Sequence, residues 1–203
     1  MIKNKYVYLN KTHHQSKGGL SMTKKLFATI STLAIMGSAL LVGQQAFAAE
    51  TAITGGALSF GAQQPSVGNF TAVQLNGQIQ TTNATVSAFS VVDATGSGSG
   101  WNVMVKASQF ATADNAFTLP ENSLGIATPT VTAAEGASDV STITKANGKI
   151  DNVTGVKILS AAVNGGMGTY NVDANNLALT LNPKDVKAGT YISTVTVTVT
   201  TGP

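Results

Sequence analysis

The chain has 203 residues with twelve lysines, no arginine, nine acidic residues, two histidines and no cysteine, for a formal net charge of +3. The absence of cysteine excludes disulfides and thiolate metal sites. Six lysines precede residue 26, whereas all nine acids lie at Glu50 or beyond, so residues 49–203 carry six lysines against nine acids, a net charge of −3. That balance argues against nucleic-acid binding, which needs a positive surface.

Residues 22–48 have the three parts of a secretory signal peptide. Two lysines form a basic start, residues 33–42 form an apolar stretch, and Ala46-Phe47-Ala48 forms a small-x-small cleavage site. The apolar stretch is shorter than the roughly 20 residues that span a bilayer. We therefore predict a signal helix, cleavage between Ala48 and Ala49, and no membrane span after processing.

Residues 1–21 precede a signal peptide that already has its own initiator-like methionine, Met22. The codons for Lys17, Gly18 and Gly19 can form an A/G-rich run that resembles a bacterial ribosome-binding site. We expect translation to start at Met22 rather than at Met1. Residues 49–203 are then the exported chain, which is long enough for one domain with one hydrophobic core. Export without cysteine fits a Gram-positive envelope.

The exported chain has the pattern of an all-β protein. Short segments rich in Val, Ile, Thr and aromatic residues end at Gly, Asn, Asp or Pro, and no window keeps the spacing of an amphipathic helix. We predict an antiparallel β-sandwich of about nine or ten strands, because parallel pairs need crossover helices. The clearest segments are ATVSAFSVVDA (84–94), WNVMVKASQF (101–110), LGIATPTVTA (124–133), LALTLN (177–182) and TYISTVTVTVT (190–200).

The last of these segments alternates most strictly. Ile192 and a row of threonines fall on one face, which predicts a strand with apolar residues inside and hydroxyls outside. The apolar face consists of Tyr191, Ser193, Val195, Val197 and Val199.

Few side chains are available for catalysis. His13 and His14 both lie upstream of the signal peptide, so the exported chain has no imidazole for general-base chemistry or metal binding. Two carboxylates would be enough for a glycosidase. The acids beyond Glu50, however, are spread one per loop, and none is expected in an apolar strand where burial would raise its pKa. We expect no enzymatic activity, no cofactor and no metal site.

Several polar or glycine-rich motifs have simple structural interpretations. DATGSGSG (93–100) lacks the helix and lysine of a phosphate-binding loop and is interpreted as a flexible connection. NVDANN (171–176) lacks the glycine and glutamate of a calcium loop, which leaves an Asx-type turn. NGGMG (164–168) predicts positive-φ glycines at a corner or bulge. Residues 133–149 are predicted to be a surface loop or an irregular hairpin.

Trp101 is the single tryptophan and directly follows GSGSG. In one interpretation it faces inward with Val103 and Val105 and fills one end of the sandwich, with a partner for its indole N–H. In the other, the loop presents the ring to a ligand, because one face of a sugar stacks well on an indole. Periodicity alone favours the first interpretation.

Three stretches together resemble a known family. TGSGSGWNVMVKASQF, ILSAAVNGGMGTY and AGTYISTVTVTVTTGP follow one another in the order of the landmarks of the WxL-domain surface proteins of Gram-positive bacteria, over roughly Gly56 to Pro203. The resemblance implies a β-sandwich that attaches non-covalently to peptidoglycan without a sortase motif. It also implies assembly with other wall-associated surface proteins.

Both Trp-x-Leu motifs that name this family are degenerate here. The first corresponds to WNV at 101–103 and the second to VTV at 197–199, where the tryptophan is lost. If both tryptophans contact glycan, this chain should bind wall weakly or bind something else; if they pack, valine is tolerated with repacking. The candidate wall-binding residues are Trp101, Asn102, Val103, Val197 and Val199.

Two functions remain open. In the first, the domain binds peptidoglycan or another wall polymer as an adhesion or coat component. In the second, it is a structural subunit that associates with itself or a partner through its uncharged, β-prone TVTVTVT strand.

Overall fold

The computed structural model describes residues 50–203, which form an all-β structure with one 3-10 turn at Val140–Thr142. The predicted signal helix, its cleavage site at Ala48 and Ala49, and the upstream extension lie outside these residues. Within the described range, no helix has the length and hydrophobicity of a membrane span. The strands are β1 (Leu58–Phe60), β2 (Gln80–Val86), β3 (Phe89–Asp93), β4 (Trp101–Ala107), β5 (Ala111–Thr112), β6 (Leu124–Ile126), β7 (Val131–Ala133), β8 (Ile143–Lys145), β9 (Gly148–Lys149), β10 (Val156–Ala161), β11 (Gly168–Val172), β12 (Asn175–Leu181), β13 (Tyr191–Ile192) and β14 (Val195–Thr201).

The strands form three four-stranded sheets and one two-stranded ribbon. Sheet 1 has the order β1-β3-β11-β7, sheet 2 the order β14-β4-β10-β8, and sheet 3 the order β2-β12-β6-β9, while β13 pairs with β5. Every strand pair in residues 50–203 is antiparallel. The predicted antiparallel arrangement is confirmed.

Sheets 1 and 3 are linked by three short connections. The chain runs from one sheet into the other between β2 and β3, between β6 and β7, and between β11 and β12, with short breaks. The break between β6 and β7 contains Pro129, which cannot donate to a ladder. A similar break separates β13 from β14. These interruptions explain why the structure has fourteen strands where about nine or ten were predicted, since counting each interrupted pair as one strand leaves ten.

Sheet 2 packs against sheets 1 and 3 across one hydrophobic core. Side chains from all three sheets are fully buried in it, including Tyr170 from sheet 1, Trp101 and Leu159 from sheet 2, and Leu177 from sheet 3. The rings of Trp101 and Tyr170 meet between the layers with centroids 5.6 Å apart. Burial of each such side chain contributes about 1.5–3 kcal/mol. The β-sandwich predicted from the sequence is the observed architecture.

The C-terminal segment alternates as predicted but is divided into β13 and β14. At the division, side-chain hydrogen bonds with Ser108 take the place of regular strand pairing. The Ser108 Oγ accepts a hydrogen bond from the Thr194 N–H (3.0 Å), and the Ser108 carbonyl accepts one from Ser193 Oγ (2.6 Å). The valines of β14 are half-buried against the core and its threonines are exposed. The expected apolar inner face and hydroxyl outer face are both present.

Residues 133–149 are irregular, as predicted, but they do not form a hairpin. β8 pairs with β10 in sheet 2, whereas β9 pairs with β6 in sheet 3, so this segment carries the chain between sheets. The 3-10 turn within it is capped by Asp139, whose Oδ1 accepts a hydrogen bond from the Ser141 N–H (2.8 Å).

Candidate functional site

Trp101 begins β4 and is completely buried, with 0% of its side chain exposed. Its indole Nε1 donates a hydrogen bond to the carbonyl of Gly166 (2.7 Å), so the one polar atom of the ring has a partner. The ring also lies against Tyr170 at an interplanar angle of 59°. Of the two interpretations of Trp101, the structure shows the first: the ring fills the core and presents no face to a ligand.

The NGGMG corner forms the other side of this tryptophan pocket. Asn164, Gly166 and Gly168 all have positive φ, at 62°, 73° and 100°, which confirms the predicted left-handed corner. A Cβ on Gly166 would lie 2.6 Å from Nε1 of Trp101, closer than atoms can approach without moving. The corner therefore requires glycine at this position both for its backbone angle and for its proximity to the indole.

The 94–100 loop, which precedes Trp101, is ordered by hydrogen bonds. Asp93 Oδ1 accepts from the N–H (3.0 Å) and the hydroxyl (2.6 Å) of Thr95, and the carbonyl of Gly98 accepts from the Asn164 N–H (2.7 Å). Gly96, Gly98 and Gly100 have positive φ. The predicted connection between strands is present, and side-chain hydrogen bonds and contacts with the 164–168 corner link it to its neighbours.

The five predicted wall-binding residues lie close together but face different ways. Trp101 and Val103 are fully buried, and Val197 and Val199 are half-buried on the inner side of β14. Asn102 lies on the opposite side of β4, where its Nδ2 donates to the carbonyl of Gly202 (2.7 Å). Any direct contact with wall at this site therefore occurs on the side of Asn102, and wall binding there stays a prediction.

The side chains on the Asn102 side of sheet 2 form what we call the outer face. Rows of side chains cross β14, β4 and β10, because Thr196 pairs with Lys106, Thr198 with Met104, and Thr200 with Asn102. On β10, Lys157 pairs with Met104 and Ser160 with Asn102. The three threonines and both lysines are exposed, and the other side chains are half-buried. The outer face consists of Asn102, Met104, Lys106, Lys157, Ser160, Thr196, Thr198 and Thr200.

An apolar groove of about 900 Å³ lies near the other end of β4 and β14. Residues 67–75 form one wall and residues 186–193 the other, and Phe110, Leu119 and Leu181 line the space between them. Phe110 also packs edge-to-face on Phe70, with ring centroids 5.4 Å apart. Sequence reasoning missed this groove, because its walls come from distant parts of the chain and carry no motif.

Two carboxylates depart from the expectation that every acid lies in a loop away from apolar strands. Asp93 ends β3 and is only 5% exposed, and Asp151 is 1% exposed. Asp93 holds Thr95 in the 94–100 loop, and Asp151 Oδ2 accepts from the Ser123 N–H (2.9 Å). Both acids therefore position backbone segments.

Two exposed carboxylates have pKa values below the usual range for aspartate. Hydrogen bonds from the Thr112 hydroxyl and the Ala116 N–H lower the pKa of Asp114, and hydrogen bonds from Ser141 lower that of Asp139. Each carboxylate closes the turn in which it lies. Among the residues that the structure describes, no group of three or more acidic or histidine side chains is arranged to hold a metal ion.

A family model described as WxL domain surface cell wall-binding matches residues 51–203. The match spans most of the chain and the whole of the described sandwich. The chain belongs to the WxL-domain family. It therefore carries a surface domain that binds the cell wall, as the resemblance implied. No curated protein and no solved structure matches the chain.

The two degenerate motifs of this WxL domain lie on neighbouring strands of sheet 2. β14 runs antiparallel to β4, so Val199 pairs with Val103 and Thr201 pairs with Trp101. Val197, which corresponds to the lost tryptophan, pairs with Val105, four residues along β4 from Trp101. It is half-buried against the core. The position of the lost tryptophan is thus a packing position in this structure, where a smaller valine packs against the core.

The two lysines of the outer face, by contrast, were not singled out from the sequence. Lys106 and Lys157 looked isolated, because they are about 50 positions apart in the chain. The alternation of β4 does place Lys106 on the same side as Asn102. The signal that was missing is the strand pairing, which brings β10 and β14 to either side of β4.

Proposed function

We propose that this WxL domain holds the protein non-covalently on peptidoglycan, as an adhesion or coat component of a Gram-positive envelope. The observation that supports this proposal is the outer face of sheet 2. Glycan strands are rich in hydroxyl and acetamido groups, which hydrogen-bond to hydroxyl and amide side chains. The outer face presents such side chains on β14 and β4, next to the predicted residues Asn102, Val197 and Val199.

The threonines of β14 provide a regular row of hydroxyl groups. Alternate residues of a strand repeat about every 6.8 Å on one face. Thr200 Oγ1 donates to Oδ1 of Asn102 (3.0 Å), whereas the hydroxyls of Thr196 and Thr198 make no hydrogen bond to another residue in 50–203. These two hydroxyls are free to bond a glycan. In this proposal Trp101 acts indirectly, because it fixes the start of β4 from the buried side.

We also propose that the domain acts by binding and not by catalysis. The buried carboxylates support this view, since Asp93 and Asp151 each hold a backbone N–H of a neighbouring segment. A glycosidase would instead need two carboxylates about 5–9.5 Å apart across a substrate. Loss of wall polymer during incubation with the protein, abolished by replacing one acidic residue, would contradict this part of the proposal.

Sedimentation with peptidoglycan tests the main proposal. The purified protein is mixed with peptidoglycan from which covalently attached polymers have been removed, and the pelleted fraction is measured. We expect the wild-type protein to pellet and the double variant Thr196→Val/Thr198→Val to pellet less. Valine keeps the shape and the β-branch of threonine, so this change removes two hydroxyls while preserving the strand.

A matched variant is available in sheet 3. Thr81 and Thr85 are exposed threonines on β2, so Thr81→Val/Thr85→Val makes the same chemical change on a different sheet. We expect this variant to bind like the wild type. If the wild-type protein does not pellet, or if both double variants lose binding equally, the outer face is not the peptidoglycan-binding surface.

The edge position of β14 favours a second candidate function. β14 is an edge strand of sheet 2, and its TVTVTVT sequence has no charge, proline or bulge to prevent pairing with another strand. Self-association, or assembly with another wall-associated protein, would then proceed by strand addition. A concentration-dependent increase in sedimentation coefficient that Thr198→Asp abolishes would support this function. A monomer at all concentrations would contradict self-association.

A further inference from the structure

We infer that the outer face also binds a phosphodiester-bearing wall polymer, through Lys106 and Lys157. This inference goes beyond the proposed binding of peptidoglycan, because it adds a second, anionic ligand and assigns it to different side chains. Lys106 lies on β4 beside the threonine row, and Lys157 lies on the next strand, β10, of the same sheet.

The first argument is the separation of charge over the domain. Residues 49–203 carry a net charge of −3, yet all the charged residues of the outer face are lysines. Within residues 50–203, the only ion pair joins Lys184 to Asp185, so neither Lys106 nor Lys157 has a carboxylate within 4.0 Å. A predominantly acidic domain therefore presents one face to which a polyanion is attracted.

The second argument is the register of the strands. Lys106 lies across from Thr196, and Lys157 lies across from Met104, which itself lies across from Thr198. Diagonal neighbours on adjacent antiparallel strands are about 7–8 Å apart, so the two lysines are near neighbours. The two lysines and the free threonines thus lie on one face of the same sheet, with Met104 between Lys157 and Thr198.

The chemistry of these donors suits a phosphate group. Lysine carries a compact point charge with three hydrogen-bond donors, and it is a common phosphate-binding residue. A phosphodiester keeps its charge throughout the physiological pH range, and its two free oxygens accept hydrogen bonds from ammonium and hydroxyl groups together. A polymer with regularly repeated phosphodiesters matches a face with repeated donors.

Binding to two wall preparations tests the inference. Intact walls that retain their phosphodiester polymer are compared with the same walls after its removal, using Lys106→Gln/Lys157→Gln and the wild-type protein. We expect the variant to bind intact walls about five-fold more weakly per lysine removed, a typical effect for a lysine beside an anionic surface. Raising the ionic strength should weaken the wild type more than the variant, because salt screens exposed charges. On stripped peptidoglycan the two proteins should bind equally.

The control variant is Lys184→Gln/Lys187→Gln, which changes the net charge equally but lies outside the outer face. We expect it to bind both preparations like the wild type. Equal losses for the two lysine pairs would show that only net charge matters and would overturn the inference. A loss by Lys106→Gln/Lys157→Gln that is as large on stripped peptidoglycan would assign these lysines to peptidoglycan itself, which also overturns it.

Competition identifies the anionic group. Soluble poly(glycerol phosphate) should release the wild-type protein from intact walls, whereas poly(glutamate) at the same charge concentration should release it poorly. Equal release by both polymers would contradict the preference for phosphate. If the wild-type protein binds stripped peptidoglycan but gains nothing from the polymer, the inference fails while the proposed function stands. If it binds only walls that retain the polymer, the proposed binding of peptidoglycan fails instead.

Discussion

Position 166, beside the indole of Trp101, requires glycine for two reasons. Its φ of 73° is unfavourable for a residue with a side chain, and its carbonyl accepts the indole hydrogen bond. An added Cβ would also collide with the side chains of Ala161 and Trp101. We therefore expect Gly166→Ala to lower the free energy of unfolding by about 2 kcal/mol or more, since both the backbone angle and the packing become unfavourable.

Gly136 provides a control in which the backbone effect occurs without the packing effect. It has a similar φ of 79°, but a Cβ there would meet no atom within 4 Å. Gly136→Ala should cost only the backbone strain, about 1 kcal/mol. Urea unfolding followed by circular dichroism measures both changes. Equal losses for the two variants would show that contact with Trp101 contributes nothing to the requirement for glycine.

The buried hydroxyl of Tyr170 should make the free energy of unfolding depend on pH in the alkaline range. Burial raises the pKa of its hydroxyl above the usual value of 10.0. Because the folded state holds this proton more tightly than the unfolded state, the stabilisation is complete below pH 10 and decreases as the pH rises above it. Tyr170→Phe should reduce that decrease. It should also cost about 1 kcal/mol at neutral pH, where the hydroxyl donates to the Ser138 carbonyl (2.8 Å).

Urea unfolding at neutral pH and at several values above 10 measures this effect. Lysines also titrate in that range, so the quantity of interest is the difference between wild type and variant. An alkaline loss of the same size in both proteins would show that ionisation of Tyr170 does not control it.

Among the connecting segments, the 94–100 loop shows how far composition can mislead. Alternating Gly and Ser are typical of flexible linkers. Here the hydroxyls form a ladder that starts at Asp93: Thr95 donates to the carboxylate, the Ser97 N–H donates to Thr95 Oγ1 (3.3 Å), and the Ser99 N–H donates to Ser97 Oγ (3.3 Å). The glycines supply the positive φ angles between these residues. The 94–100 loop thus has its own hydrogen-bonded structure, which ends at Trp101.

We expect backbone order parameters of about 0.85 for residues 94–100, as in the strands, and not the values below about 0.6 of a flexible linker. Asp93→Ala should lower them, because it removes the acceptor at the base of the ladder. Asp114→Ala is the control, since Asp114 closes a different turn between β5 and Phe117. NMR relaxation measures the order parameters. Linker-like mobility in the wild type would contradict this assignment.

The alternation of apolar and polar residues predicts some features of the strands but not others. In β4, residues 101, 103, 105 and 107 are buried and those between them are not, as the period of two predicted. In β14 the same alternation holds. Alternation, however, gives only the side of a strand. It did not predict the break at Ser193 and Thr194, which depends on Ser108, a residue about 85 positions earlier.

Taken as one domain, the sandwich depends on pairing between distant parts of the chain. Trp101 pairs with Thr201, and Asn102 bonds Gly202, 100 residues away. Proteins dominated by such non-local pairs fold in milliseconds to seconds, because a large loop must close before the contacts form. Trp101, as the only tryptophan, reports burial of the core directly. We expect refolding from urea in this range by stopped-flow fluorescence, and folding within microseconds would contradict it.

The sequence by itself determined the class of the fold, the inward side of the best strands, the glycine corner and the membership of the WxL family. These features are local or lie in an ordered set of motifs, so they can be read along the chain. Only the tertiary structure decided that Trp101 is buried, that the GSGSG loop is hydrogen-bonded to its neighbours, and that Lys106 and Lys157 share one face of sheet 2 with the threonines of β14. The physical reason is that burial and strand register depend on partners 50 to 100 residues away, which no local pattern specifies.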